Sequence, residues 1–415
     1  MKLLVLSLFA FLCVSAIKPA EKARFDNYRL YQVSIENEEQ FRLMKEIENH
    51  PDGYQFWDFP GEIGKHADLV VPPHKFGEFS ELVETFELKS RMVNENLQEL
   101  FDNEQPKKRS KAVGDWTSYW TYDEINEWLD SLVETYPGIV SHVNVGKSYQ
   151  SRDIRGVKVN IGGGQKNSVV LEATIHAREW ISTATTTWML NELLTSTDPE
   201  VQDIAKSFEW YVFPVTNPDG YVYTWTTNRS WRKTRKPSNA ICFGADPNRN
   251  WDNHFAEGGA STNPCSDLYA GSAPFSEPET KALSEYLRTI PNLVGYFAFH
   301  AYGQMMMTPF GWTKELLGNY HELYEIGQKG VEALTAKFGT RYSLGSIANV
   351  IYIASGSSVD WVKDTLKANI TYAYEFRDEG RDKFILPADQ IIDNSIEVFA
   401  SLVTIMKEAK SRGSA

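Results

Sequence analysis

Only three cysteines occur among the 415 residues, so a dense disulfide framework is excluded. Long apolar runs are missing as well: beyond the first residues no stretch reaches the length needed to span a bilayer. Basic charge is short, with 42 Lys and Arg against 55 Asp and Glu and a formal charge of −13, which argues against nucleic acid as a partner and gives a soluble acidic surface. There is no internal repeat. Gly162-Gly163-Gly164 precedes a strand-like run with no helix directly after it, so it reads as a turn and not as a phosphate loop. What the chain has in quantity is apolar and aromatic side chains: 42% hydrophobic content, with 12 Trp, 20 Tyr and 22 Phe. That supports a large buried core in two or three folding units.

The one substantial apolar run lies at the start. Lys2, the run Leu3 to Val14 and the small residues Ser15 and Ala16 give residues 1–16 the pattern of a cleaved signal peptide. Cys13 leaves with it. Secretion would place Cys242 and Cys265 in an oxidising compartment, where one disulfide is expected and two free thiols are the alternative.

Residues 28–104 read as a small α+β unit. Tyr28 to Val33, Tyr54 to Trp57 and Ala67 to Val71 are strand-like, Glu38 to Asn49 is helical, and the spacing of Phe79, Leu82, Val83, Phe86, Val93, Leu97 and Leu100 predicts one helix over Phe76 to Asp102. Pro106-Lys107-Lys108-Arg109-Ser110-Lys111 then reads as an exposed junction suited to a trypsin-like protease; an ordinary solvated linker is the alternative. From Trp116 onward four apolar runs stand out, Val169–Thr174, Trp210–Val215, Leu293–Phe299 and Ile370–Phe376. Helical stretches such as Ile181–Leu194 and Glu277–Arg288 lie between them. This is the pattern of a mixed, mostly parallel sheet covered by helices.

Sites in such sheets form beyond the carboxyl ends of the strands. There the sequence places Ile175-His176-Ala177-Arg178-Glu179 after the first run, Asn217-Pro218-Asp219-Gly220-Tyr221 after the second, His300 at the end of the third and Glu375 near the end of the fourth. A catalytic zinc takes three N or O ligands and keeps one open position. His176 and Glu179 in a tight turn can point at one ion, and His300 can supply the third donor. Each histidine alone is equally well a hydrogen-bonded structural residue. Glu375 inside an apolar strand is costly unless it is functional or paired, with Arg377 or Arg381 as the obvious partner. A second His-x-x-Glu, His254 to Glu257, lies in a glycine-rich loop and reads as surface.

Several ordered motifs carry a wider likeness: His176-Ala177-Arg178-Glu179-Trp180, Arg229-Ser230-Trp231-Arg232-Lys233, Pro247-Asn248-Arg249-Asn250-Trp251, Phe299-His300-Ala301-Tyr302, Tyr352-Ile353-Ala354-Ser355-Gly356 and Tyr374-Glu375-Phe376-Arg377-Asp378. The chain resembles the pancreatic-type A/B zinc metallocarboxypeptidases in their pro-enzyme form, closest to the A type. The resemblance implies a signal peptide at 1–16, an activation prosegment folded as an α+β sandwich with a connecting helix at 17–109, and a catalytic domain at 110–415. It implies one Zn²⁺ bound by His176, Glu179 and His300, with Glu375 as general base and Arg232 polarising the scissile carbonyl. It also implies that Asn248, Arg249 and Tyr352 hold the terminal carboxylate, that Arg178 contacts substrate further back, that Tyr302 is substrate-binding, and that Cys242 pairs with Cys265. The pocket-floor position falls at Val359. An apolar floor favours apolar or aromatic C-terminal residues; a register slip onto Asp360 would favour Lys or Arg. Met307 and Ala373 fall at pocket positions and leave room for a large ring. The expected partners are peptide or protein C-termini and an activating trypsin-like protease acting within 107–111, with no nucleic acid and no membrane, for a secreted monomer. A silent peptide-binding relative and a zinc amidase are the competing readings. The first is opposed by a complete ligand and base set, the second by the carboxylate-binding trio.

Overall fold

The structure is a computed structural model and describes residues 21–59, 61–106 and 114–415. The signal-peptide reading at 1–16 and the basic junction at 107–111 lie outside the described residues.

The N-terminal unit is a four-stranded sheet, β1 (Arg29–Ser34), β2 (Gln55–Asp58), β3 (His66–Val71) and β4 (Ser90–Asn94), in the order β2-β3-β1-β4. Side chains alternate across it, as the period of two requires. Leu69 and Val71 join Met44 and Ile47 of helix Glu38–Asn49 and Phe79 of helix Phe76–Thr85 in one core. Val70 and Leu30 face the other way and pack with Trp57, Leu97 and Leu100 onto Phe384 and Ile385. The single helix expected over Phe76 to Asp102 is three elements: helix Phe76–Thr85, strand β4 and helix Leu97–Asn103. The chain turns at Glu87, whose φ of 49° is left-handed, and Ser90 to Asn94 then pair with β1. Strand pairing has overridden an apolar spacing that happened to be helical.

The larger unit is an eight-stranded sheet made of β5 (Val140–Lys147), β6 (Asp153–Val159), β7 (Asn167–Ala173), β8 (Phe208–Phe213), β9 (Leu293–Ala301), β10 (Met305–Thr308), β11 (Ser343–Ser346) and β12 (Ile370–Phe376). The order is β11-β10-β12-β9-β7-β8-β6-β5. The four runs singled out in the sequence form the parallel centre, β12, β9, β7 and β8. Antiparallel strands complete it on both sides, β10 against β12 and the β5–β6 hairpin against β8. Central strands are buried on both faces, with every residue of β8 buried, which is why they read as continuous apolar runs. Helix Trp180–Thr195 packs on the sheet and against helix Ile391–Arg412.

The two units are joined by buried polar contacts. Glu104 closes the N-terminal unit with an ion pair to Arg229, Nε to Oε2 at 2.7 Å, both residues nearly inaccessible. No helix among the described residues is long and apolar enough to cross a membrane.

Candidate metal centre and substrate cleft

β7 ends at Ala173, and the turn that follows leads directly into helix Trp180–Thr195. Thr174 takes a left-handed φ of 53° there, and its backbone N–H donates to Ser182. This tight turn puts His176 and Glu179 side by side, with Glu179 at the N-cap position, where the helix end favours a negative charge. His300 arrives from β9, the neighbouring strand. His176 Nδ1 lies 2.8 Å from Glu179 Oε1, and His300 Nδ1 lies 3.1 Å from Glu179 Oε2 and 3.2 Å from His176 Nδ1. One donor atom from each of the three lies within 4.8 Å of the others, and all three residues are buried.

The donor chemistry fits a cation. His176 Nε2 faces Asp246 Oδ1 at 3.1 Å, so the ring proton belongs on Nε2 and a lone pair on Nδ1 faces the carboxylate and the other imidazole. Two imidazole lone pairs and a carboxylate turned toward one point repel one another unless positive charge sits between them. The electrostatics agree. Burial opposes a charge on His300, yet the Glu179 carboxylate outweighs it and raises that histidine to about 9. Burial lowers His176. Glu179 is held far below the usual carboxylate range, because the two histidines outweigh its burial.

Asp246 was not singled out in the sequence. It is fully buried, takes Arg232 Nε at 3.1 Å and Nη2 at 2.9 Å on one oxygen, and on the other takes His176 and the Asn248 backbone N–H, the latter at 2.8 Å. Burial disfavours its charge, but Arg232 and His176 hold it well below the ordinary range. One carboxylate thus orients the His176 imidazole, the Arg232 guanidinium and the loop carrying Asn248 and Arg249. The only sequence signal was its place two residues before Asn248.

Glu375 stands directly opposite His300 in the β9–β12 register. Neither suggested partner is used: Arg377 pairs with Glu397 at 2.8 Å and Arg381 with Asp382 at 3.0 Å. Burial pushes Glu375 up to about 8, opposed by His300. A divalent cation beside it would favour its charged form.

His176, Glu179, His300 and Glu375 line one cavity of about 360 Å³ that also takes in Arg232, Asn248, Arg249, Tyr302, Tyr352 and Val359. Of the expected metal, catalytic and substrate-binding residues only Arg178 is not on the cavity wall. It is fully buried, donates to the Phe56 carbonyl at 3.3 Å and lies over the Phe384 ring at 4.2 Å. Val359 faces the cavity with Met307 and Ala373. Asp360 does not: its Oδ2 accepts the backbone N–H groups of Gly311 and Trp312, at 2.8 and 3.2 Å. Cys242 and Cys265 form a disulfide.

The N-terminal unit reaches into the same cavity through Asp58, Phe59 and Gly61. Gly61 lies so close to Tyr352 that a Cβ there would sit 2.6 Å from the tyrosine Cβ, and Phe59 lies under Arg232 at 5.6 Å. Asp68 accepts a hydrogen bond from Tyr302 Oη at 2.6 Å and an ion pair from Lys383 at 3.1 Å.

Residues 125–401 match the zinc carboxypeptidase family and residues 31–104 the carboxypeptidase activation peptide. The chain belongs to the zinc carboxypeptidase family. It is 44% identical over 404 residues to zinc carboxypeptidase A 1 of Anopheles gambiae, covering 96% of this chain and 93% of that one. It is also 44% identical over 299 residues to carboxypeptidase B of Astacus astacus, covering 71% of this chain and 98% of that one. Among solved structures, carboxypeptidase A from Helicoverpa armigera superposes with a TM-score of 0.85 at 25% identity, over 94% of this chain and 99% of that one. The protein is therefore a zinc-dependent peptidase made as a zymogen, with peptide substrates, proteolytic activation and one catalytic Zn²⁺.

Proposed function

We propose that this zymogen is secreted and that the activated enzyme removes apolar and aromatic residues from peptide C-termini. The boundaries proposed are a signal peptide at 1–16, a prosegment at 17–109 and a monomeric catalytic domain at 110–415, with a trypsin-like protease cutting within 107–111. What carries the preference is the pocket floor: Val359 on the cavity wall and the Asp360 carboxyl occupied by two backbone N–H groups leave no negative charge to recruit Lys or Arg.

His176, Glu179 and His300 are the proposed zinc ligands. Bound zinc supplies Lewis acidity, polarising a carbonyl oxygen and bringing the pKa of water to about 7. The Glu375 side chain has no hydrogen-bond or ion-pair partner among the described residues and stands opposite His300, as suits a general base; it takes a proton from the attacking water and delivers it to the leaving amine nitrogen. Arg232, fixed by two hydrogen bonds to Asp246, presents the rest of its guanidinium to the carbonyl oxygen as negative charge develops. Removing one such donor costs about 2.7–4 kcal/mol in other hydrolases. Arg249 is braced by Nε to the Gly259 carbonyl and Nη1 to the Asn248 carbonyl. With Asn248 and Tyr352 it selects a free carboxylate over an internal peptide bond. Tyr302 holds the substrate upstream of the scissile bond, joined by Arg178 once the prosegment residue Phe56, whose carbonyl it binds in the zymogen, has left.

After trypsin treatment, substrates ending in Phe or Leu should be cleaved at least tenfold faster than those ending in Lys, whereas intact protein should be nearly inactive. Faster release of Lys would establish the B-type preference instead. A Glu375→Gln variant should keep its zinc and lose nearly all turnover; unchanged turnover would remove Glu375 from the base role.

A further inference from the structure

The prosegment contact at Asp68 says something about the enzyme beneath it. Lys383 is only 4% exposed in the zymogen, and its one ion-pair partner among the described residues is Asp68 Oδ2, 3.1 Å away. The same oxygen takes the Tyr302 hydroxyl, and the Lys383 ammonium lies 4.8 Å from the Tyr302 ring. Lys383, Tyr302 and Phe384 all line the cavity that holds His176, Glu179 and His300, so they belong to the substrate cleft and not to a remote surface.

Nearby acids of the enzyme do not satisfy Lys383. Asp378 is spent on the backbone N–H groups of Lys383, at 2.6 Å, and Asp382, at 3.3 Å. Asp382 itself pairs with Arg381. Glu379 offers Lys383 Nζ only its backbone carbonyl, at 3.5 Å. When the prosegment leaves, an ammonium and a phenol hydroxyl that had converged on one carboxylate oxygen remain on the cleft wall without it. A buried or half-buried cation that loses its partner gains from any carboxylate able to replace it.

We infer that Lys383 and Tyr302 form a subsite for an acidic side chain upstream of the scissile bond, and that Asp68 of the prosegment occupies it in the zymogen as a substrate carboxylate would. The subsite extends the cleft proposed above, and rests on that reading. The activated enzyme accordingly has two preferences, apolar at the C-terminal residue and acidic further back.

The test uses activated enzyme and paired peptides ending in the same apolar residue, with Glu or Gln placed at each upstream position in turn. At one position Glu should raise kcat/KM roughly three- to tenfold over Gln, mostly through KM, as expected for a partly exposed charge-assisted contact. Raising the salt concentration should shrink that ratio. In Lys383→Met the ratio should fall to about one, and in Lys383→Arg it should persist, which separates loss of charge from a folding defect in the zymogen. A Glu-to-Gln ratio near one at every position in the wild type, or a preference that survives Lys383→Met, would overturn the inference. Hydrolysis of the Gln peptides by wild type tests the underlying peptidase reading separately, since it does not depend on Lys383 pairing.

Discussion

The chain contains the His-x-x-Glu pattern twice, and the two copies have different fates. In both the pair is closed by the same contact, at 2.8 Å for His176 and Glu179 and 2.7 Å for His254 and Glu257. The first pair has side chains 5% and 2% exposed; the second has side chains 33% and 65% exposed, with His254 stacked on Trp312 at 3.5 Å between ring centroids. Only the first has a donor from a distant strand, His300, and a buried carboxylate, Asp246, behind its histidine. Spacing produces the pair. Burial, a third donor and an outer partner make it a candidate metal centre.

The largest effect separates the copies outright. His176→Ala or Glu179→Gln should lose the zinc and lower kcat/KM by roughly a thousandfold or more, since a metal contributes several kcal/mol to such transition states. His254→Ala and Glu257→Gln should leave zinc content and kcat/KM within about twofold. Comparable losses at both copies would erase the distinction. Next in size is Asp246→Asn, which keeps the shape but removes the charge behind His176. Zinc affinity should weaken about 10- to 100-fold in a competition titration with a chelator, as for other metal-histidine partners. No change would mean Asp246 does not orient the ligand. A smaller effect belongs to the second copy: Trp312→Ala should cost about 0.5–1.5 kcal/mol in denaturant unfolding through lost stacking, with zinc retained. Smallest is Glu257→Gln on stability, about 0–1 kcal/mol, because its contact with His254 is exposed.

Legibility in the sequence followed burial. The central strands were readable because strands covered on both faces must be apolar throughout, and their ends then located His176, His300 and Glu375. The outer strands were not. β5 alternates irregularly between buried and exposed, and β11 is Ser343-Leu344-Gly345-Ser346, whose composition carries no strand signal. β4 was hidden for a related reason, since its pairing with β1 is a long-range event that no local spacing records. The same limit applies in the cleft. The proposed ligands and base sit at element ends and are found by position. Asp246 and Lys383 acquire their roles from partners many residues away, His176 and Asp68, and only the folded chain brings those together.

Metal analysis of the purified protein, run on the wild type and on His300→Ala, tests the central claim most directly. The wild type should carry one zinc per chain, and the variant, missing only the donor from β9, should carry little after dialysis against a weak chelator. A wild type without zinc, or a His300→Ala variant that keeps a full equivalent, would contradict the account.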